Sequence, residues 1–138
     1  MAPLIGAVAV DHVGIASAEP SSPLAEALGA DALAGIAMPS GVTVARFGPA
    51  RGLELVWPGR PGTPVDSFLA RRGPGLHHVA LRVDVDLAEL RGRMEQAGLA
   101  LVGSGMERSS DGRPCLFLHP RGTGGVLVEL VQGAGPGG

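Results

Sequence analysis

Short apolar runs alternate with turn residues along most of the chain, and this pattern predicts many short strands. Val and Ile dominate the first of these runs, and the following runs are bounded by Pro or Gly. Short β-branched segments between such turn residues are typical of strands. We therefore predict strands in the first half of the chain at residues 8–16, 35–38, 41–47 and 53–57.

The second half follows a similar plan and contains the clearest helix. Residues 76–83 read as a strand, and residues 86–97 read as a helix that begins at Asp86 and ends before Gly98, two usual cap residues. Apolar residues recur at helical spacing on one face of this helix: Leu87, Leu90, Met94 and Ala97. Three more strands are predicted at residues 99–102, 114–118 and 126–131.

Two weaker helical segments complete the pattern. A short helix at residues 24–28 follows Ser22 or Ser21, either of which can cap its first turn. The Pro- and Gly-rich segment at residues 59–74 reads as a linker, with one or two helical turns at residues 65–71.

Two pairs of similar strings indicate an internal duplication. Residues 11–16 (DHVGIA) resemble residues 77–82 (HHVALR), and residues 53–56 (LELV) resemble residues 128–131 (VELV). In each half the His-bearing string comes first and the Glu-bearing string follows. A duplicated module explains this common order.

The duplication predicts an α+β fold built from two βαβββ modules. Residues 1–138 are expected to form one domain, with the modules at residues 8–58 and 75–132 joined by the linker. The tail at residues 133–138 (GAGPGG) has no apolar side chain larger than Ala or Pro to bury and is predicted to be disordered.

The two His residues are predicted to point into the same kind of environment. Side chains alternate between the faces of a strand, so His12 shares a face with Gly14 and Ala16. By the same alternation His78 shares a face with Ala80. The small neighbours leave space around each imidazole.

Glu54 and Glu129 lie within runs of Leu and Val, where an unpaired carboxylate is costly. A bound cation would resolve this cost if the two modules bring His12, His78 and both carboxylates together. Such a set suits a divalent ion, Zn²⁺, Co²⁺, Ni²⁺, Mn²⁺, Fe²⁺ or Mg²⁺, and affinity order does not choose among them. The alternative is that each His is a hydrogen-bonded core residue and each Glu lies on a solvated face.

Charge and cysteine content narrow the function classes. Eleven basic and thirteen acidic residues give a formal net charge of −2, so the composition disfavours nucleic acid and anionic membranes as partners. The apolar residues 1–10 are too few to span a bilayer and lack a positive flank. With Cys115 as the single cysteine, we expect a cytoplasmic protein.

Four strings resemble the vicinal oxygen chelate superfamily, which includes glyoxalases, bleomycin resistance proteins and dioxygenases. They are residues 11–16 (DHVGIA), 53–58 (LELVWP), 75–84 (GLHHVALRVD) and 117–132 (FLHPRGTGGVLVELVQ). Within the superfamily the chain most resembles the methylmalonyl-CoA epimerases. The resemblance implies that the two modules form paired curved mixed sheets around a central metal cleft. It also implies a divalent metal, a small-molecule substrate such as an acyl-CoA, and a homodimer.

The resemblance also implies roles for individual residues. The ligands of the metal would be His12, Glu54, His78 and Glu129, and Glu129 would also be the catalytic base. His77, on the opposite strand face from His78, would be structural or would support a ligand without binding the metal itself. The implied reaction removes a proton next to a thioester or carbonyl and returns one on the other face.

The chain departs from the family where a second base is expected. The resemblance aligns Val44 with the Glu of the third strand, and no acid occurs between Asp31 and Glu54. Either another acid such as Glu107 or Asp111 replaces it, or the reaction differs. The alternatives are a one-base metalloenzyme, glyoxalase-like or from a biosynthetic cluster, and a non-catalytic drug-binding protein.

Several other residues invite a structural interpretation. Cys115 is expected to pack within a strand, His119 to stabilise a turn, and residues 122–125 (GTGG) to form a tight turn rather than a phosphate loop. Trp57 would either line the cleft or cap the first sheet. The Arg side chains that could instead meet the phosphates of a CoA are Arg71, Arg72, Arg91 and Arg93.

Overall fold

The computed structural model describes residues 3–29, 34–103 and 106–133, which form eight strands and three helices. The strands are β1 (Ala7–Ala16), β2 (Ile36–Ala37), β3 (Val42–Phe47), β4 (Leu53–Pro58), β5 (Gly75–Val83), β6 (Glu107–Arg108), β7 (Pro114–Leu118) and β8 (Leu127–Gln132). The helices are α1 (Pro23–Ala27), α2 (Pro64–Arg72) and α3 (Leu87–Gln96), and short 3₁₀ turns lie at Pro49–Arg51 and Pro120–Gly122. None of the helices in this described part is long and apolar enough to cross a membrane.

The same pairing pattern occurs twice in the sheet. The hydrogen-bonded strand order is β2-β3-β4-β1-β5-β8-β7-β6. The first and last strands of each module are parallel, β1 with β4 and β5 with β8. The other pairs, β2 with β3, β3 with β4, β6 with β7 and β7 with β8, are antiparallel. Each half therefore has βαβββ order, which confirms the predicted α+β fold built from two copies of one module.

The chain divides into two compact units. One unit consists of Met1–Asp11 and His78–Gly138, and the other consists of His12–His77. The two boundaries fall inside β1 and β5, so each of these strands contributes residues to both units.

The unit His12–His77 packs a helix against each face of its strands. Ala25 of α1 packs with Leu55 and Trp57 on one face. Val65 of α2 packs on the opposite face against Ala16, Val44 and Val56. We call this face the His12 face because it also carries His12. Register explains both clusters, because residues paired across neighbouring strands point to the same side.

The other unit packs its helix on one face only. Leu87, Leu90 and Met94 of α3 are fully buried against Leu116 and Leu130. The opposite face, which we call the His78 face because it carries His78, contains a smaller cluster of Ala80, Cys115 and Val131.

The α3 helix ends where its sequence predicts, with one difference on its apolar face. The side chain of Asp86 accepts a hydrogen bond from the Ala88 N–H at 2.9 Å, and the Leu87 N–H donates to Gln132 Oε1 at 2.9 Å, which ties the helix to β8. Gly98 follows with φ at 81°, a conformation that favours glycine. Ala97 is exposed as the C-cap, so its prediction as a member of the buried face was wrong.

The other two helices also begin at the expected kinds of residue. Ser22 caps α1 by accepting from the Ala25 N–H at 3.0 Å, which selects Ser22 over Ser21. The helical turns predicted at residues 65–71 of the linker correspond to α2. Thr63 and Asp66 make a reciprocal capping box at the start of this helix.

One strand was predicted at the wrong place. Residues 99–102 form only an isolated bridge between Leu101 and Leu118. The Leu99 and Leu101 side chains instead pack against the α3 cluster, and the Val102 N–H bonds to the Phe117 carbonyl. The edge strand β6 lies further along, in a polar segment that carries no strand pattern. The predicted disordered tail falls mostly outside the described residues, which end at position 133.

The fully buried Leu90 provides a test of the α3 packing. Leu90→Ala is expected to lower the free energy of unfolding by about 2–5 kcal/mol, because it removes buried methyl groups and leaves a cavity. The measurement is urea denaturation followed by circular dichroism. Leu24→Ala on α1 is the control, since Leu24 is 46% exposed and its loss should cost about 0.5 kcal/mol or less. Equal losses in the two variants would contradict the assigned core.

Candidate metal centre

A buried His–Glu pair joins the parallel strands β1 and β4. His12 and Glu54 are 1% and 5% exposed, and Gly14 pairs with Glu54 in the strand register. The distance from His12 Nε2 to Glu54 Oε1 is 3.6 Å. As predicted, His12 shares its buried face with Gly14 and Ala16.

The second carboxylate oxygen of Glu54 is held by an arginine that the sequence analysis missed. Arg46 Nε donates to Glu54 Oε2 at 3.1 Å, and Arg46 Nη1 donates to the Arg51 carbonyl at 3.1 Å. Arg46 lies directly opposite Glu54 in the β3–β4 pairing. The sequence signal was an arginine within a predicted strand, but only the strand register shows that this arginine contacts Glu54.

A second buried pair joins the parallel strands β5 and β8 in the same way. His78 and Glu129 are 3% and 4% exposed, and Ala80 pairs with Glu129 in the register. The distance from His78 Nε2 to Glu129 Oε1 is 3.4 Å. Phe117, which pairs with Glu129, also places its ring edge-on to the His78 ring.

The two pairs are copies of one arrangement. In each unit the His lies on one of two parallel strands, and the residue two positions after it pairs with a Glu on the other strand. Both nitrogen-to-oxygen distances exceed the usual N–H···O hydrogen-bond length of about 2.7–3.2 Å. Both distances are short enough for the two donor atoms of a pair to bind one ion through bonds of about 2.0–2.2 Å. Each pair has the chemistry and spacing of half a metal site.

His77 lies outside these pairs. It is partly buried on the strand face opposite to His78, and its ring meets the edge of the Phe68 ring of α2 at a centroid distance of 5.0 Å. This packing agrees with the structural role expected for it.

A network of ion pairs centred on Arg113 was also missed by sequence reasoning. Its guanidinium donates to both carboxylate oxygens of Asp11, from Nη1 at 2.8 Å and from Nη2 at 3.0 Å. Its Nε donates to Asp111 Oδ2 at 2.8 Å. Asp11 precedes His12 in β1, so this bidentate contact fixes the strand next to a candidate ligand. The two partners are 102 residues apart in the chain, and no local pattern connects them.

The residues considered for a second base have different environments. Val44 is 6% exposed in the apolar cluster of the His12 face and cannot carry a proton. Burial alone would raise the pKa of Asp111, but hydrogen bonds from Arg113 and Ser109 outweigh it and lower that pKa. Glu107 pairs with Cys115 across β6 and β7, which places it on the His78 face.

Cys115 and Trp57 are packing residues. Cys115 lies buried beside Ala80 and Val131, and burial, reinforced by the nearby Glu129 carboxylate, raises the pKa of its thiol. A thiol with a raised pKa in an apolar cluster is not set up as a nucleophile. Trp57 lies in the cluster with Ala25, which favours the second of its two predicted roles, capping the sheet.

The remaining polar candidates have structural contacts or are exposed. His119 caps a 3₁₀ turn, its Nδ1 accepting from the Arg121 N–H at 3.0 Å. Gly124 and Gly125 have φ values of 80° and 100° in the tight turn before β8, as predicted for this segment. Of the four candidate phosphate-binding arginines, Arg71, Arg72 and Arg93 are exposed, and Arg91 pairs with Glu95 on α3.

Comparison with known families defines the class of protein. The sequence profile of the Glyoxalase/Bleomycin resistance protein/Dioxygenase superfamily matches residues 11–117. The chain therefore belongs to this superfamily, in agreement with its duplicated βαβββ fold.

Within the superfamily the chain is similar to methylmalonyl-CoA epimerases. The crystal structure of the Mycobacterium tuberculosis enzyme is 31% identical, with a TM-score of 0.74, and the match covers 98% of this chain and 94% of that chain. A Streptomyces coelicolor epimerase variant in complex with 2-nitronate-propionyl-CoA is 27% identical, with a TM-score of 0.75 and coverage of 95% and 99%.

A curated relative gives a higher identity over a shorter segment. The ethylmalonyl-CoA/methylmalonyl-CoA epimerase of Cereibacter sphaeroides is 39% identical over 82 residues, which is 58% of this chain. The matched segment spans 60% of that relative's length.

Arg113 provides a test of the ion-pair network. Arg113→Met removes the guanidinium shared by Asp11 and Asp111, and the free energy of unfolding is expected to fall by about 3 kcal/mol, because a largely buried carboxylate loses its cation. Urea denaturation measures the change. The control is Arg108→Met, since Arg108 is exposed and donates to the Gly112 carbonyl. A loss no larger than that of the control would show that the network contributes no stability.

Proposed function

We propose that this protein is a divalent-metal-dependent epimerase that removes a proton next to a thioester, with methylmalonyl-CoA as its substrate. The observation that carries the proposal is the pair of matching buried His–Glu contacts, 3.6 Å and 3.4 Å long, in the two modules. Nearly full-length similarity to solved methylmalonyl-CoA epimerases supports the choice of substrate.

The metal ligands in this proposal are His12, Glu54, His78 and Glu129. Two imidazoles and two carboxylates suit a borderline divalent ion. Arg46 supports the assignment, because ligating carboxylates are commonly fixed by a second hydrogen bond. When bound, the ion supplies Lewis acidity that stabilises negative charge on the substrate oxygens.

Glu129 is the proposed base. A carboxylate oxygen of Glu129 takes the proton from C2 of the acyl group, and the same group can return a proton to that face. The Phe117 side chain, which pairs with Glu129 on the same face, and the burial of Glu129 limit water around the carboxylate. Proton transfer by a positioned carboxylate contributes typically ~10²- to 10⁴-fold in rate.

Inversion by two bases also needs a proton donor on the other face of C2. Val44 cannot serve, and Asp111 is engaged by Arg113. Glu107 is therefore the better of the two acids considered, because it is exposed and lies on the His78 face. The apolar environment of Val44 favours one alternative function, a one-base isomerase that acts on a related carbonyl compound with the same metal and Glu129.

We also propose a cytoplasmic location and a homodimer. A single buried thiol, Cys115, suits a reducing compartment, and the homodimer rests on the superfamily resemblance.

Metal analysis tests the ligand set. Protein stripped with a chelator and dialysed against Zn²⁺, Co²⁺ or Mn²⁺ is expected to bind one ion per chain by elemental analysis. His12→Ala and His78→Ala should each weaken binding by more than about tenfold, because each removes a ligand. His119→Ala is the matched control, since His119 is exposed and caps a turn. Wild-type protein that binds no ion, or equal weakening in the control, would contradict the proposed centre.

Isotope exchange tests the reaction. Metal-loaded protein in D₂O is expected to place deuterium at C2 of methylmalonyl-CoA, and Glu129→Gln should slow this by about 10²- to 10⁴-fold. Mass spectrometry of the thioester measures the exchange. Glu89→Gln, on the exposed side of α3, should leave the rate unchanged. Metal-loaded wild-type protein without exchange would exclude the epimerase and leave the one-base isomerase or a non-catalytic binding protein.

A further inference from the structure

Arg82 of β5 has an unusual environment. Within the described residues, its Nε is the one buried side-chain nitrogen or oxygen without a hydrogen-bond partner. Buried polar groups are otherwise almost always paired, so an unpaired guanidinium N–H needs a specific explanation.

The strand register places Arg82 on the same face as the proposed ligands His78 and Glu129. Side chains alternate along β5, so His78, Ala80 and Arg82 point to one side. Arg82 lies one residue pair beyond the position where Ala80 faces Glu129. It is therefore a neighbour of the proposed base along the His78 face.

The residues that follow Arg82 across β8 and β7 in the strand register carry no negative charge. Val131 pairs with Arg82 on β8, and Cys115 pairs with Val131 on β7, so the two residues that follow Arg82 in this row are apolar and buried. The row ends at the exposed Glu107 on the edge strand β6. Glu129, the nearest acid on this face by register, pairs with His78 instead.

The other module shows that the fold does not require a cation at this place. The residue at the equivalent position, four residues after His12, is Ala16, which packs with Val44, Val56 and Val65. The same register position is thus filled by an apolar cluster in one module and by a charged side chain in the other. Because an Ala at this position is sufficient for the fold of the first module, the unpaired Nε–H of Arg82 in the second module indicates a role in binding.

We propose that Arg82 recognises an anionic oxygen group of the substrate and thereby sets specificity for anionic acyl thioesters. This inference rests on the function proposed above and names a residue that would bind the substrate rather than the metal. A guanidinium can bind a carboxylate or a phosphate through two parallel hydrogen bonds. An acyl-CoA offers both groups, a carboxylate on some acyl chains and phosphates on the carrier.

Ligand binding by the Arg82→Gln variant tests the proposal without relying on turnover. Calorimetry with methylmalonyl-CoA, propionyl-CoA and free CoA gives the dissociation constants. A charge-assisted bidentate contact predicts a loss of about tenfold or more. Loss for methylmalonyl-CoA alone identifies the acyl carboxylate as the group bound, and an equal loss for all three identifies a CoA phosphate. Arg121→Gln, on the exposed 3₁₀ turn before β8, should bind like the wild type.

A second measurement separates this proposal from the proposed function. In metal-free protein labelled with ¹⁵N-arginine, the Nε–H resonance that disappears in Arg82→Lys belongs to Arg82. Titration with malonate or inorganic phosphate should shift this resonance, whether or not the protein is an epimerase and whether or not Arg82→Gln folds. Unchanged affinities in Arg82→Gln, or a resonance that neither anion shifts, would overturn the proposed role of Arg82. Ligand binding without deuterium exchange would overturn only the proposed epimerase function.

Discussion

The pairing of two parallel strands around a buried His and a buried Glu is the constraint on which the site depends. A parallel register puts the Glu beside the position two residues after the His, and strand alternation turns both side chains to one face. Because a one-residue slip would turn every side chain to the opposite face, the apolar clusters behind these strands also fix the donors. The core and the candidate site are therefore specified by the same register.

Much of this arrangement could be predicted from the sequence because it depends on local periodicity. The caps and the apolar positions Leu87, Leu90 and Met94 predict α3, and the alternation in β1 predicts which face His12 occupies. The segment at residues 99–102 misled the prediction, since a short apolar run can pack against a helix without joining a ladder. The strand β6 could not be foreseen, because Glu107 and Arg108 form it only through pairing with β7.

The electrostatic part of the site required three-dimensional information. Arg46 and Glu54 are eight residues apart, yet only the β3–β4 register makes them neighbours. Arg113 reaches Asp11 across most of the chain length, and neither residue lies in a pattern that marks a partner. Periodicity identifies which residues are buried, whereas the identity of the group that neutralises a buried carboxylate depends on contacts distant in sequence.

The duplicated register also limits where a second proton carrier can lie. Val44 lies level with Val56 and Ala16 in one module, and Cys115 lies level with Val131 and Arg82 in the other. The third-strand position where the resemblance would place an acid is therefore occupied by the apolar Val44 in the first module and by the buried thiol of Cys115 in the second. The raised pKa of Cys115 makes that thiol a poor proton donor. If the reaction inverts C2, its second proton must come from outside this pair of equivalent positions. Glu107 on the edge strand β6, which pairs with Cys115, offers a carboxylate on the same face.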